Sequence, residues 1–259
     1  SPRGVIYPKF AGDVYLTEPL PNYAKGKTAR VIVENGCWYL CCYDKVVIPA
    51  TKELIEVCAL DCGVRTFQTV YSPKEVSELG KDYFKDKLLP LYLKLDSLIS
   101  KRKLQVNLKL DNQRNSDLMR FYEKKINKLR LRIKNLVEDL HKKCANYLTN
   151  EFDVILLPTF ETKQMSRVGN RKINNKSVRA MIGLSHFKFK QVLKWTALKK
   201  GKIVLDVNES FTSKTNPFNG ELMSIGSAKT FMHEGVVYDR DVNGARNIFI
   251  KNTLLCNDE

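Results

Sequence analysis

The feature that most constrains the fold is a nearly continuous apolar run, FDVILLPTF, at residues 152–160. A run of this kind is typical of a central strand that is buried on both faces of a sheet. Two further apolar runs, IEVCAL at 55–60 and KIVLDV at 202–207, predict other strands of the same sheet. The sequence therefore predicts an α/β fold built on a mixed sheet.

The first 55 residues have a different pattern, because apolar and polar residues alternate through several short runs. Asn35-Gly36, between VIV and CWYL, is a strong signal for a two-residue hairpin turn. We expect residues 1–55 to form part of a β-barrel, a wedge-like region, and residues 56–259 to form the main domain. Because the chain starts at Ser1 in the middle of a strand-like run, we also expect a fragment or a processed product.

Helical periodicity over residues 78–150 predicts a long helical insertion in the main domain. We expect a kink at Pro90 and a second, long helix capped by Ser116. One face of that second helix is apolar, and the opposite face is basic and includes Lys128 and Arg132. The basic face is either a solvated surface or a surface that faces phosphates.

Residues 175–201 predict one more amphipathic helix, which ends at Gly201. His141 and His186 both lie in helices of this kind, where a histidine belongs to the core or the helix surface more often than to a ligand set. Polar segments at 72–78 and 161–176 are the candidate linkers.

The charge indicates the partner, because 44 Lys and Arg residues against 28 Asp and Glu residues give a formal net charge of +16. Such a surplus is typical of proteins that bind a polyanion, and nucleic acid is the first candidate. A solvated basic surface is the alternative, and no apolar run approaches the length of a membrane span. We expect an intracellular protein, in the nucleus or nucleoid, or in the cytoplasm if it is viral or bacterial. The odd number of cysteines, seven, predicts reduced thiols.

Three acids stand at comparable positions along the chain. Asp61 interrupts one strand, Glu209 follows another, and Asp241 lies where a strand gives way to the last helix, in DRDVNGARNI. Acids gathered at the edge of one sheet are what two-metal phosphodiester chemistry requires, since two hard cations share carboxylate oxygens. The alternative is that an acid before a helix is a cap and that Asp61 forms a turn.

The segments around these acids resemble a known family. LDCGVRTF (60–67), NESFTSKT (208–215) and DRDVNGARNI (239–248) are similar to the three RuvC motifs of the TnpB family of transposon-encoded, RNA-guided DNA nucleases. The Fanzor proteins and the type V CRISPR effectors are relatives of that family. The resemblance runs from about residue 30 to residue 251 and implies an RNase H-like (RuvC) fold with a helical insertion after the first motif.

The resemblance also implies roles for individual residues. Asp61, Glu209 and Asp241 correspond to the catalytic acids that hold Mg²⁺ or Mn²⁺, with Asp239 behind them and with Gly244 and Ala245 allowing close helix packing. The implied partners are a guide RNA and a target DNA. The residues expected to contact nucleic acid are Thr212, Ser213, Lys214, Arg240 and Arg246, together with Lys128 and Arg132 of the basic helix.

Two departures from the family pattern matter. The family has a four-cysteine zinc ribbon between the second and third motifs, but here Asn216 and Asn219 occupy the positions of a C-x-x-C pair. We therefore expect no zinc and an insert at about 212–237 that is held by packing. The resemblance also implies a complete N-terminal lobe that holds a guide RNA, of which only the last strands correspond here, so we expect the chain to be a catalytic half.

The function that follows is an RNA-guided DNA endonuclease with a two-metal mechanism. The first alternative is a catalytically inactive or domesticated nucleic-acid-binding derivative of such a nuclease. The second is an RNase H-like resolvase or transposase that works without a guide. The sequence leaves the guide, the flanking DNA motif, the host and the oligomeric state open.

Overall fold

The computed structural model describes residues 5–6, 14–50, 56–107, 112–159, 174–208, 212, 214–216, 218–223 and 228–254. The chain divides into two compact units, Ser1–Val47 and Ile48–Glu259. The sequence had suggested a division at residue 55. All of the candidate site residues belong to the second unit.

The first unit contains two antiparallel strand pairs. Strand β1 (Val5–Ile6) pairs with β2 (Val14–Tyr15), and β3 (Ala29–Glu34) pairs with β4 (Cys37–Cys42). The β3–β4 turn has positive φ angles of 51° at Asn35 and 77° at Gly36. Both positions of a type I′ turn need such angles, so the hairpin predicted from Asn-Gly is confirmed. The partial barrel stays a prediction.

The second unit is built on a five-stranded mixed sheet with the order β7-β6-β5-β8-β9. Its strands are β5 (Val57–Cys62), β6 (Gln68–Tyr71), β7 (Val76–Leu79), β8 (Val154–Pro158) and β9 (Ile203–Val207). The pairs β5–β6 and β6–β7 are antiparallel, whereas β5–β8 and β8–β9 are parallel. The mixed α/β sheet is confirmed, and the apolar run predicted as a central strand is β8.

Helices cover both faces of this sheet. They are α1 (Leu89–Asn107), α2 (Asn112–Glu151), α3 (Asn175–Leu184), α4 (His186–Lys199) and α5 (Arg240–Leu254). Alternate residues of β5 and β8 enter two separate cores. Cys58, Leu60 and Ile155 pack with α2, α3 and α4, and the opposite face packs on α5 through Ala59 and Leu156. This two-sided burial explains why β8 is apolar throughout.

The segment before the helical insertion differs from the expectation. Residues 72–78 are no linker, because Ser72 and Glu75 form a hydrogen-bonded turn that leads into β7. Since β7 occupies Val76–Leu79, the helical insertion starts only at the π-helical turn Phe84–Leu88, which stands directly before Pro90 in α1. Four residues are too few for a period to show in the sequence.

The single helix expected over residues 175–201 is two helices. Ser185, with φ 51° and ψ 53°, breaks the segment between α3 and α4. The turn buries the first residue of α4, His186, against Phe67. The 161–176 linker lies almost entirely outside the described residues. Within the described part of the chain, no helix is both long and apolar enough to cross a membrane.

Candidate active site

Asp61 lies near the end of β5, the strand at the centre of the sheet order. Side chains alternate along a strand, so Asp61 shares the face of Ala59, which is the face covered by α5. Helix α5 packs directly on β5, β6 and β8. The carboxylate of Asp61 therefore points to the interface between the sheet and the last helix.

Gly244 of α5 makes room for this carboxylate. A Cβ atom added to Gly244 would lie 2.6 Å from Oδ2 of Asp61, a separation that real Cβ atoms essentially never show. The next residue, Ala245, is completely buried. The close packing that the sequence predicted for these two small residues is present, and it brings α5 onto Asp61.

Asp241 occupies the first turn of the same helix, three residues before Gly244. Residues three apart are neighbours on one helix face, with about 5–6 Å between their Cβ positions. Asp61, which packs on Gly244, is therefore placed beside the first turn that carries Asp241. The two acids come from segments 180 positions apart in the numbering of the chain.

Asp239 has a different task from Asp241. Its Oδ1 accepts hydrogen bonds from the backbone N–H groups of Asp241, at 2.8 Å, and Val242, at 3.2 Å. These are the contacts of a helix N-cap. Of the two acids in DRD, the first caps the helix. The cap therefore does not occupy the carboxylate of the second, Asp241.

The surroundings of Asp241 are rich in charge. Burial raises the pKa of its carboxyl group, and the nearby carboxylates of Asp239 and Glu78 raise it further. The positive charges of Arg65 and Arg240 act in the opposite direction. Carboxylates held close together in this way disfavour ionisation until a cation compensates them.

Glu78 and Arg65 are site residues that the sequence did not identify. Glu78 belongs to β7, the strand hidden in a region that looked helical, and it accepts a hydrogen bond from Oγ1 of Thr66 at 3.1 Å. Arg65 lies within the quoted motif LDCGVRTF, so a signal for it existed in the sequence. Its relation to Asp241 depends on the turn between β5 and β6.

Two asparagines of α5 bind the segment that follows β9. Nδ2 of Asn247 donates to the carbonyl oxygens of Thr212, at 2.8 Å, and Thr215, at 2.7 Å. Nδ2 of Asn243 donates to the same Thr215 oxygen at 3.1 Å. The second and third motifs are thus joined through buried amides, a role that the sequence did not reveal for Asn247.

The other candidate residues are distributed as follows. Thr212 is buried, whereas Lys214 is exposed, and both lie on the segment held by α5. Arg240 is half-buried in the first turn of α5. Lys128 and Arg132 lie on the exposed side of α2, a helix that packs on the opposite face of the sheet from α5. Glu209 and Ser213 lie outside the described residues.

The insert is a small folded unit linked to α5. Strands β10 (Thr230–His233) and β11 (Val236–Asp239) form a hairpin, and β11 leads directly into the helix. The ring of Phe218 stacks on His233 with a centroid distance of 4.7 Å and an interplanar angle of 1°. The guanidinium of Arg246 lies 5.0 Å from the centre of the same ring. Arg246 thus packs against the insert.

Asn216 and Asn219, which stand where the resemblance implies a C-x-x-C pair, form local turns. Oδ1 of Asn216 accepts from the backbone N–H of Phe218 at 3.0 Å, and Oδ1 of Asn219 accepts from Glu221 at 3.1 Å. Nδ2 of Asn216 also lies 3.2 Å from Nδ1 of His233. These bonds satisfy backbone donors of the turn through side-chain oxygens.

No three His, Cys, Asp or Glu side chains of the described residues form a group that is able to hold a metal ion. Asp61 and Asp241 supply two carboxylates, and Glu209, the third expected ligand, is not among the described residues. The absence of a zinc site in the insert and the magnesium site at the acids remain predictions.

Comparison with known proteins identifies the relatives. Residues 186–248 match the family described as Cas12f1-like, TNB domain. The TnpB-like protein L79 of Acanthamoeba polyphaga mimivirus is 30% identical over 196 residues, which cover 74% of this chain and 36% of the relative. Protein A625R of Paramecium bursaria Chlorella virus 1, named as a transposase, is 34% identical over 215 residues, covering 81% of this chain and 45% of that protein.

The chain belongs to the TnpB family. Its fold is also similar to that of a Cas12f1 protein whose cryo-EM structure contains an sgRNA and target DNA, with a TM-score of 0.53 and 14% sequence identity. That match covers 82% of this chain and 41% of the Cas12f1 chain. This TnpB-family chain thus spans less than half the length of the relatives that it matches.

Proposed function

We propose that this TnpB-family chain is the nuclease portion of an RNA-guided DNA endonuclease, with Asp61, Glu209 and Asp241 as its catalytic acids. The observation that carries the proposal is the contact between Asp61 on β5 and Gly244 on α5, which places Asp61 beside the turn of Asp241. A glycine that leaves space for a carboxylate, one turn from a second carboxylate, is difficult to explain by packing alone.

The sheet supports an RNase H-like fold for this nuclease. Three antiparallel strands are followed by two parallel ones, and the acid-bearing strand stands in the middle of the order. Strands β5 and β9 are both parallel to β8, so their carboxyl ends meet at one edge of the sheet. Val207, two positions before Glu209, packs with Ile248 of α5, and this supports Glu209 as the third acid.

The residues present fit a divalent cation. Hard cations such as Mg²⁺ and Mn²⁺ prefer carboxylate oxygens, and Asp61 and Asp241 would hold them together with Glu209. Burial and neighbouring carboxylates raise the pKa of Asp241, which is the electrostatic condition that a bound cation relieves. A cation held by these acids would supply Lewis-acid chemistry, which lowers the pKa of an attacking water and stabilises the leaving oxygen.

The chain's own residues orient this site. Asp239 fixes the first turn of α5 by capping it, and so directs Asp241. Asn243 and Asn247 hold the carbonyl groups of Thr212 and Thr215 against the same helix. One rigid helix therefore positions one acid directly and the segment after Glu209 through hydrogen bonds.

The proposed partners are a guide RNA and a target DNA. The net charge of +16 supports a polyanionic partner of considerable size. Lys214, on the segment held by α5, is exposed and is proposed to contact the substrate strand with Thr212 and Ser213. Arg240 and Arg246 are proposed to contact phosphates at the site, and Lys128 and Arg132 to contact the backbone of the nucleic acid from α2.

The test compares isosteric variants of the acids. The wild-type chain, Asp61→Asn, Asp241→Asn and the control Asp117→Asn, an exposed acid of α2, are incubated with labelled single-stranded DNA and Mn²⁺. We expect cleavage by wild type and control, and losses of about 100-fold or more for the two site variants. Equal cleavage by all four proteins would show that the acids are not catalytic.

The alternative, an inactive nucleic-acid-binding derivative, is favoured by one observation, the asparagines at the cysteine positions of the insert. It predicts that wild type, Asp61→Asn and Asp241→Asn bind the labelled DNA equally and that none of them cleaves it. Gel shifts run beside the cleavage assay separate the two functions.

A further inference from the structure

The turn between β5 and β6 is fixed from several directions. The backbone N–H of Gly63 bonds to the carbonyl of Phe67 at 3.4 Å, which closes the turn. The carbonyl of Arg65 accepts from the backbone N–H of Asp82 at 2.7 Å. The buried side chain of Thr66 donates to Glu78. The backbone of Arg65 is therefore held in place by its neighbours on both sides.

The side chain of Arg65 is left exposed by this arrangement. Its guanidinium makes no hydrogen bond or ion pair with any side chain that the structure describes. Two other cationic side chains do have acidic partners. Lys81, which is near Arg65 in the chain, pairs with Glu78 at 2.6 Å, and the guanidinium of Arg179 forms two hydrogen bonds with Asp96, at 2.7 and 2.8 Å. Arg65 thus combines a fixed backbone with a guanidinium that is available to a ligand.

Arg65 also lies at the same edge of the sheet as Asp61. It follows Asp61 by four residues in the turn that leaves the end of β5. Its charge is close enough to interact with that of Asp241. The exposed guanidinium is therefore within electrostatic range of Asp241.

We propose that Arg65 is a further catalytic residue, whose guanidinium donates paired hydrogen bonds to the non-bridging oxygens of the scissile phosphate. The proposal rests on the proposed nuclease function. A planar fork of N–H donors matches two phosphate oxygens, whereas a lysine ammonium acts as a point charge. A site formed by acids repels the phosphodiester, and Arg65 offsets this repulsion where negative charge develops on phosphorus-bound oxygens.

The chemistry assigned to Arg65 involves no proton transfer. The oxygen of water forms a bond to phosphorus, the ester P–O bond breaks, and one water proton leaves to solvent while the departing alkoxide takes up a proton. Arg65 stays protonated throughout, because a guanidinium keeps its charge in proteins. Its contribution is binding of the phosphate oxygens in the transition state.

The experiment compares Arg65→Lys and Arg65→Ala with wild type and with Arg120→Lys, a control at an exposed arginine of α2. Single-turnover cleavage of labelled single-stranded DNA, Mn²⁺ affinity by calorimetry and DNA affinity by gel shift are measured for each. We expect both Arg65 variants to lose about 100-fold in cleavage rate, as the loss of a transition-state donor does. Mn²⁺ affinity and the control remain unchanged.

A substrate change tests the contact itself. Replacing one non-bridging oxygen of the scissile phosphate by a methyl group removes a hydrogen-bond acceptor, so it should slow wild type much more than Arg65→Ala. Equal slowing of both proteins, or full cleavage by Arg65→Lys, would overturn the role of Arg65 while leaving Asp61 and Asp241 as the catalytic acids. If wild type cleaves no DNA at all, the nuclease function and the role of Arg65 fall together.

Discussion

A stack of three buried rings lies behind the turn that follows Asp61. Phe67 stands between His141, at 5.4 Å, and His186, at 5.0 Å, as measured between ring centroids. His141 is completely buried and His186 is 5% exposed. Because helices α2 and α4 each contribute one histidine, the stack joins both helices to the turn, and its protonation is expected to destabilise the fold.

Burial lowers the pKa of His186 to about 3, with a further contribution from His141, and a hydrogen bond to Gly63 offsets part of this effect. Burial also lowers the pKa of His141. The folded chain therefore resists protonation, whereas the unfolded chain binds protons at the ordinary value of 6.5. Stability is fully present above the unfolded pKa and is lost as the pH falls below it towards the folded value.

The magnitude follows from the two pKa values. Between about pH 7.5 and about pH 5, His186 alone removes about 2 kcal/mol from the free energy of unfolding, and His141 acts in the same direction. Domains are stable by roughly 5–15 kcal/mol in total, so this loss is a substantial fraction. The effect is large enough to be measured by denaturant unfolding.

The assay is urea unfolding, followed by circular dichroism at the two pH values, of wild type, His186→Gln and the control His233→Gln. Glutamine stays neutral, so His186→Gln should lose about 2 kcal/mol less than wild type on acidification, even if it is less stable at neutral pH. The control, a half-buried histidine of the insert, should behave as wild type. All three proteins contain the same titrating carboxylates, so these cannot cause a difference between them. If wild type and His186→Gln lose the same free energy of unfolding on acidification, the reasoning is refuted.

Further predictions concern the site, the insert and the basic helix. Gly244→Ala should reduce Mn²⁺-dependent cleavage by about tenfold or more, because its Cβ would displace Asp61, while the thermal midpoint changes little. Asn247→Ala should destabilise the chain by about 1–3 kcal/mol in urea unfolding, since the buried bond to the Thr212 carbonyl is lost and the Thr215 carbonyl keeps only the donor from Asn243. Elemental analysis should find no zinc in the purified chain, and chelator treatment should leave its circular dichroism unchanged. Replacing both Lys128 and Arg132 by Gln should reduce the slope of log affinity for nucleic acid against log salt by about 1–2.

The parts of the fold that the sequence predicted are those with a strong local signal. The apolar run of β8 requires burial on both faces, and Asn35-Gly36 supplies the two positive φ angles of a hairpin turn. The strand of Asp61 and the helix of Asp241 were predicted for the same reason. Each of these signals is contained in fewer than ten neighbouring residues.

Features that depend on distant contacts were missed. Strand β7 is four residues long and forms because β6 offers it an edge, while the local sequence continues into a helical pattern. Ser185 breaks a continuous amphipathic run so that His186 can pack on Phe67, more than one hundred positions away in the chain. No periodicity in the sequence contains this information.

In the motif DRDVNGARNI, the helix cap depends on neighbouring residues, whereas the glycine depends on a contact with a distant residue. By sequence, either aspartate is able to cap the helix. The structure assigns the cap to Asp239, because the backbone N–H groups of Asp241 and Val242 donate to its Oδ1. With Asp239 engaged as the cap, Asp241 lies one turn from Gly244. Position 244 must lack a Cβ atom only because Asp61, from another element of the fold, occupies that space. The glycine is therefore explained by a residue outside the motif. Burial and the nearby carboxylates of Asp239 and Glu78 raise the pKa of Asp241, and the divalent cation that we propose at this site would offset their repulsion.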